Sequence, residues 1–211
     1  YLTCSSKPFT PGGTNADVVT IKYRVADGQF GWNAVSARFN GVINGDDEPA
    51  DIDTCIYKPD IPTFFHLYVA GYTTHALEGE NMLALCYRDD GTTFAQEMLV
   101  IRDGDFGGHD RVTSVDAMDW VGDDSGTRAY VTGWRTNGSG AFDYMTGKCR
   151  SASNAMMSDW PKYYPLAGSA NLDKAAAIAA YDYFNSFVTG VSNDSVSADN
   201  CRSVRYNDAN P

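Results

Sequence analysis

The three histidines, His66, His75 and His109, fall in no H-x-H, H-x-x-x-H or H-E-x-x-H spacing. A metal centre would need ligands converging from far apart in the chain, so none is expected. His66 lies in the aromatic run Phe64-Phe65-His66-Leu67-Tyr68 and reads as a satisfied histidine of a strand wall, while His75 and His109 fall in loops. No G-x-S-x-G elbow is present, and Gly138-Ser139-Gly140 is explained by a hairpin tip. A glycosidase needs two carboxylates flanking one bond, and of Glu48, Glu78, Glu80 and Glu97 only Glu97 falls in an expected strand. Asp103-Gly104-Asp105-Phe106-Gly107 opens like a calcium loop, but Ser114 stands at the twelfth position, where that loop needs a bidentate Glu. No enzymatic centre and no catalytic cofactor are expected.

Cysteines at 4, 55, 86, 149 and 201 include no C-x-x-C pair, which excludes a zinc knuckle or thioredoxin-like motif. Their wide spacing suits two disulfides clamping distant parts of one domain, with one thiol left over. Cys86, in the apolar run Met82–Tyr87, is the expected odd one. The chain starts at Tyr1, as a processed secretory protein would, and carries N-x-[ST] sequons at Asn137 and Asn193. A secreted glycoprotein is the expectation.

These residues belong to 211 residues that read as a single domain, 1–211, without linker or internal repeat. Hydrophobic content of 43% with 20% charged residues excludes intrinsic disorder, and no apolar run is long enough for a membrane helix. A net charge of −11 without clustered cations excludes nucleic acid and anionic membrane surfaces as partners. The acidic residues fall in turns such as Asp46-Asp47-Glu48 and Asp89-Asp90 and read as solvated surface. The 13 Tyr, 10 Phe and 4 Trp exceed what one core of this size requires, which points to a β fold or a pocket.

Short β-branched and aromatic runs bounded by turn residues predict eight to ten antiparallel strands. They are Val18–Val25, Phe30–Phe39, Ile52–Tyr57, Thr63–Tyr72, Met82–Tyr87, Phe94–Ile101, Val112–Val121, Ala129–Trp134, Gly140–Thr146 and Trp160–Leu166. Asn137-Gly138 marks a hairpin. The alanine-rich Asn171–Thr189 predicts one amphipathic helix, with Leu172, Ala176, Ala179, Tyr183 and Phe187 as its apolar stripe and Gly190 as its stop.

Strands, one helix and a cysteine-bearing tail form a layout that resembles the lipocalins. The resemblance is carried by Ala129–Trp134 and Ala141–Cys149, similar to that family's sixth and seventh strands, by Tyr163-Tyr164-Pro165-Leu166 with Ser169-Ala170-Asn171-Leu172, and by Ala198-Asp199-Asn200-Cys201. Gly31-Trp32 is similar to the Gly-x-Trp that opens the first lipocalin strand, with one residue fewer. Within the family, the chain is most similar to the invertebrate, crustacyanin-type carotenoid binders. The resemblance implies an all-β, eight-stranded up-and-down barrel with the helix (171–189) packed outside and a tethered tail (190–211). It implies disulfides Cys4–Cys149 and Cys55–Cys201, with Cys86 unpaired. It also implies a hydrophobic ligand in the calyx, a carotenoid such as astaxanthin, and an oligomer of related subunits, at least a dimer. Strand alternation puts Phe64, His66 and Tyr68 on one face, and with Trp32, Met98, Tyr130, Trp134 and Tyr144 they are the expected lining. The alternative from another class is an extracellular carbohydrate-binding or adhesive β-sandwich module that uses exposed rings as sugar platforms.

Overall fold

The computed structural model describes residues 1–7, 15–26, 29–41, 43, 45–57, 64–104, 106–119, 127–151, 156, 161–164, 172–182, 184–193 and 200–207, with 24–26, 29–35 and 57 described by backbone only. Among them the chain is all-β. Strands β1 (Leu2–Ser6), β2 (Asp17–Ala26) and β3 (Gln29–Phe39) make the first sheet. The second holds β4 (Asp47–Tyr57), β5 (Phe64–His75), β6 (Gly79–Asp89) and β7 (Phe94–Arg102), with the short β8 (Gly108–His109) parallel to β6. The third holds β9 (Arg111–Met118), β10 (Arg128–Thr136), β11 (Phe142–Arg150) and β12 (Lys162–Tyr164). The fourth holds β13 (Lys174–Ala180), β14 (Asn185–Ser192) and β15 (Asn200–Asn207).

Four open sheets therefore stand where one closed barrel was expected. They stack in chain order, and the residues of each strand show why. Tyr68, Ala70, Met82, Ala84, Cys86 and Met98 leave one face of the second sheet to meet Val112, Val115, Ala129, Val131, Met145 and Cys149 of the third. Leu67, Val69, Leu83, Leu85 and Tyr87 leave its other face to meet Val18 and Phe39 of the first. Tyr130 and Tyr144 leave the far face of the third sheet to meet Ala175, Ile178 and Val188 of the fourth. The central strands β5, β6 and β10 are thus buried on both faces, so they read as continuous apolar runs rather than alternating ones. A calyx wall would leave one face to water. The surplus of aromatic residues fills three interlayer cores.

The expected helix is also replaced. Asn171–Thr189 contains β13, a turn in which the Asp182 carboxylate accepts the Phe184 and Asn185 amides, and the start of β14. Alanine favours helix locally, but the segment Asn185–Ser192 alternates buried Ser186, Val188, Gly190 and Ser192 with outward Phe187, Thr189 and Val191. That period of two serves the core against Tyr130 and Tyr144, and tertiary burial outweighs the alanine preference. Gly190 is fixed by close approach, since a Cβ there would lie 2.2 Å from the Lys174 carbonyl oxygen.

Internal repetition, not expected from the sequence, organises the stack. The segments Tyr68-Val-Ala-Gly-Tyr72, Tyr130-Val-Thr-Gly-Trp134 and Phe187-Val-Thr-Gly-Val191 occupy equivalent strands, spaced 62 and then 57 residues apart. Asp47, Asp110 and Asp173 begin equivalent repeats, and their amides donate to Ala16, Glu80 and Phe142 carbonyls of the preceding sheet at 2.7, 2.7 and 2.9 Å. The Asp47 carboxylate accepts the Gly41 amide at 2.6 Å and the Thr73 hydroxyl, and Asp110 accepts the Gly104 and Thr136 amides at 2.6 and 2.7 Å. Among the described residues the four sheets hold three, five, four and three strands, and each buries its apolar face against the next, as in stacked repeats.

Aspartates also close the edges between layers. Asp51 of β4 accepts the Ser114 hydroxyl and Val115 amide of β9 at 2.9 and 3.0 Å, and Asp53 accepts the Ala117 amide at 2.8 Å. Asp116 of β9 accepts the Ala180 amide of β13 at 2.6 Å. The partners Asp53–Ala117 and Asp116–Ala180 are both 64 residues apart, so one stitch recurs at successive levels. Asp47 and Asp89 are buried, which corrects the solvated reading at those two positions, while their neighbours Asp46 and Glu48 are exposed and Asp123-Asp124 lies outside the described residues.

The two proposed disulfides are not formed, because all five cysteines are free. Cys55, Cys86 and Cys149 share the core between the second and third sheets, Cys4 lies on β1 and Cys201 is exposed on β15. Burial pushes the Cys55 and Cys149 thiols up to about 12, so they behave as small hydrophobes.

Replacing Asp51 by Ala strands the Val115 amide at the edge between layers. It is expected to cost about 1–3 kcal/mol, read by urea denaturation. Burial, with the Asp103 carboxyl alongside, raises Asp110 from 3.8 to about 6. Its stabilising contribution is complete below the unfolded value and is lost as pH rises through 6. The stability difference between wild type and Asp110→Asn should therefore shift toward wild type as pH falls from about 6 to 4, read by denaturation at each pH.

Candidate functional site

The expected lining residues do not surround one cavity. Phe64, His66 and Tyr68 do share one face of β5, with the Phe64 and His66 rings 5.2 Å apart. Tyr68 and Met98 lie in the core between the second and third sheets. Tyr130 and Tyr144 lie in the next core, and Trp134 contacts the Phe142 ring edge-on at 4.5 Å with Lys174 Nζ 4.5 Å from its centroid. Trp32 falls in β3, and its side chain is outside the described residues. Six of the placed side chains, Phe64, His66, Tyr68, Met98, Tyr130 and Tyr144, are at most 8% exposed.

His66 forms the centre of a buried polar network. Its Nδ1 is 2.5 Å from the Thr127 hydroxyl and its Nε2 2.9 Å from Glu97, while Tyr68 reaches the same Thr127 hydroxyl at 2.9 Å. Hydroxyl, imidazole and carboxylate in this order match the nucleophile, base and orienter of hydrolases. Thr127, however, is fully buried and shares its oxygen with Tyr68, so the arrangement satisfies core polar groups instead of exposing a nucleophile. Burial lowers the imidazole pKa, against the attraction of Glu97. Glu97 is held by His66 and by Arg88 at 3.5 Å and faces no second carboxylate in this network.

A different surface gathers the exposed chemistry. At one end of the stack, the β5–β6 turn (Ala76–Glu78), the segment before β9 and the β10–β11 turn converge from two consecutive repeats. Gly107 and Gly108, at φ 62° and 126°, let the chain turn tightly there. The Gly108 amide donates to the Glu78 carbonyl, and the His109 amide donates to the Thr136 hydroxyl at 2.9 Å. Leu77 and Phe106 project as apolar knobs, 92% and 57% exposed.

Between the knobs stand paired donors and acceptors. His75 faces Glu78 at 3.2 Å, while Glu80 accepts both Arg111 nitrogens and lies 3.0 Å from His109. Partial burial opposes ionisation of Glu80, but Arg111 and then His109 outweigh it and hold its pKa low. Arg111 stacks on Tyr72 at 4.2 Å, and the equivalent Lys174 stacks on Trp134. Arg135 donates to the Gly104 carbonyl and lies 3.4 Å from the Tyr163 centroid and 5.5 Å from that of Phe106. Among the described residues no group of three or more His, Cys, Asp or Glu is arranged to hold a metal ion.

His75 and His109, expected in loops, instead end β5 and β8 at the same end of the stack. The signal that would have brought them together is the repeat, which aligns the turn after β5 with the turn after β10. In that second turn the Asn137 carboxamide is engaged: its nitrogen donates to Asp143 at 2.9 Å and its oxygen accepts from Ser139 and Ala141. Asn193 follows β14, and the rest of its sequon lies outside the described residues. Compared with models of known families and with characterised proteins, the chain matches none, so neither comparison identifies a lipocalin relationship.

Removing the attraction of Glu97 leaves burial and Arg88 to act on His66 unopposed. Glu97→Gln is expected to lower the His66 pKa further below the ordinary imidazole value, read by an NMR titration of the ring protons.

Proposed function

We propose that the protein is a non-enzymatic, extracellular binding module of the carbohydrate-binding or adhesive kind, meeting its ligand on the loop surface around Phe106 and Leu77. The observation that carries this reading is the convergence of three loops from two repeats into one surface with exposed apolar knobs and flanking ion pairs. In stacked-repeat proteins, loops on one face commonly form the binding surface, held by rigid sheets. A sugar ring has an apolar face and a rim of hydroxyls. Phe106 offers the first a platform, while Arg111 and His109 donate to the second and Glu78 and Glu80 accept from it. An interior carotenoid is not favoured, because the side chains expected to line its cavity fill interlayer cores.

Glycan-array binding by the full chain tests this reading. Saturable binding to a defined glycan class is expected, weakened more than about tenfold by Phe106→Ala. Since Phe106 is exposed, the thermal unfolding curve should stay nearly unchanged. Absence of glycan binding, or binding indifferent to Phe106→Ala, would overturn it.

A further inference from the structure

The fourth sheet places a charge where the two sheets before it place apolar core. Gly71, Gly133 and Gly190 each approach a neighbouring backbone so closely that a Cβ would lie within 2.2 Å of a carbonyl oxygen. Their cross-strand partners are Leu83, Met145 and Arg202. Leu83 and Met145 are fully buried and face the preceding sheet, Leu83 in the core that holds Val18 and Met145 in the core that holds Met98. Arg202 turns the same way, its guanidinium carbon 5.8 Å from the ring centroid of Tyr164 on β12. It is partly buried, and among the described residues no carboxylate lies within ion-pair distance of it. A guanidinium taken out of water is costly unless a counter-charge meets it.

A polar cavity of about 310 Å³ lies against this residue, lined by Ser192, Asn200, Cys201 and Arg202. Strand alternation builds it: the pairs Gly190↔Arg202 and Ser192↔Asn200 of β14 and β15 are two residues apart and share one face of the sheet. Ser192 is only 3% exposed, yet its hydroxyl makes no hydrogen bond among the described residues. The side chains at the same position of the earlier repeats are engaged: Thr73 donates to the Asp47 carboxylate and Arg135 to the Gly104 carbonyl. Two donors, one of them cationic, therefore border the cavity without an acceptor among the described residues. A buried donor in that state is costly until an acceptor arrives.

We propose that this cavity binds a small oxyanion, the carboxylate, phosphate or sulfate group of a polar ligand, with the Arg202 guanidinium as its counter-charge and the Ser192 hydroxyl as a second donor. A guanidinium presents a planar fork of N–H groups that matches two oxygens of such a group, and the hydroxyl rotates to meet another. A neutral or cationic ligand would leave the charge uncompensated. The volume is at the low end of the roughly 300–1,000 Å³ of ligand pockets, which suits one such group with few atoms attached. The site shares no residue with the loop surface around Phe106 and Leu77, so it stands whether or not that surface binds a glycan.

An NMR titration of the full chain with sodium phosphate, sodium sulfate and sodium acetate, each replacing sodium chloride at constant ionic strength, tests the proposal. At least one of the three is expected to shift the Ser192 and Arg202 signals saturably. Acetate set against the two tetrahedral ions tells a carboxylate site from a phosphate or sulfate site. Arg202→Leu, the side-chain type that Leu83 supplies at the equivalent position, is expected to weaken binding more than about tenfold with the circular dichroism spectrum unchanged. Ser192→Ala is expected to weaken it several-fold, about 3–10 times. No saturable shift with any of the three ions overturns the proposal, as does affinity that Arg202→Leu leaves unchanged. If circular dichroism shows that variant to be unfolded, Ser192→Ala decides: weakened binding supports the site and unchanged binding rejects it.

Discussion

The structure depends on one constraint: the central strands β5, β6, β10 and β11 are buried on both faces. Most side chains of β5, β6, β10 and β11 are buried, and their apolar ones divide among three interlayer cores, so each must fit a neighbour on one side or the other. Dispersion and apolar burial act on both sides of these strands, which is why Leu67, Tyr68, Val69 and Ala70 can follow one another without a polar interruption. A sheet of this kind is stable only when something lies on each face. The stacked order of the four sheets follows from that requirement.

Stacking leaves strand edges to satisfy, and the acidic composition supplies the means. Backbone amides of β9 and β13 that would face a gap between layers donate to Asp51, Asp53 and Asp116. Asp47 and Asp110 pin the crossovers by the same kind of bond, and the cost is the burial of carboxylates whose pKa values rise in consequence. Part of the charge of −11 is thus structural, directed at amide donors, while Glu78 and Glu80 pair with His75, His109 and Arg111 at the loop end. The division separates a stack that must be rigid from a surface free to vary.

How much could be read from the sequence differs by element. The β content, the hairpin at Asn137-Gly138 and the strands from Phe64 to Ile101 and from Ala129 to Thr146 follow from local pattern and agree with the structure to within a few residues at their ends. The shared face of Phe64, His66 and Tyr68 followed from alternation. The helix over 171–189 failed because alanine states a local preference, whereas Val188 and Ile178 answer to a core built from Tyr130 and Tyr144 far away in the chain. The disulfide pairs failed with the barrel that would have brought them together. The repeat was legible in the spacing of Tyr-Val-Ala-Gly, Tyr-Val-Thr-Gly and Phe-Val-Thr-Gly, but short degenerate motifs stand out only once the strands are seen to be equivalent.

By itself, then, the sequence determined that this is an acidic, strand-rich chain with more aromatic surface than one core can hold. Those properties are sums over residues and need no knowledge of contacts. Only the tertiary structure decided that the aromatic residues divide among three cores, that the aspartates stitch edges and that His75 and His109, at the ends of two strands, lie at one end of the stack. Each of those outcomes depends on which residues meet across roughly 63 positions of chain, and period-two alternation says which side a residue faces without saying what lies there.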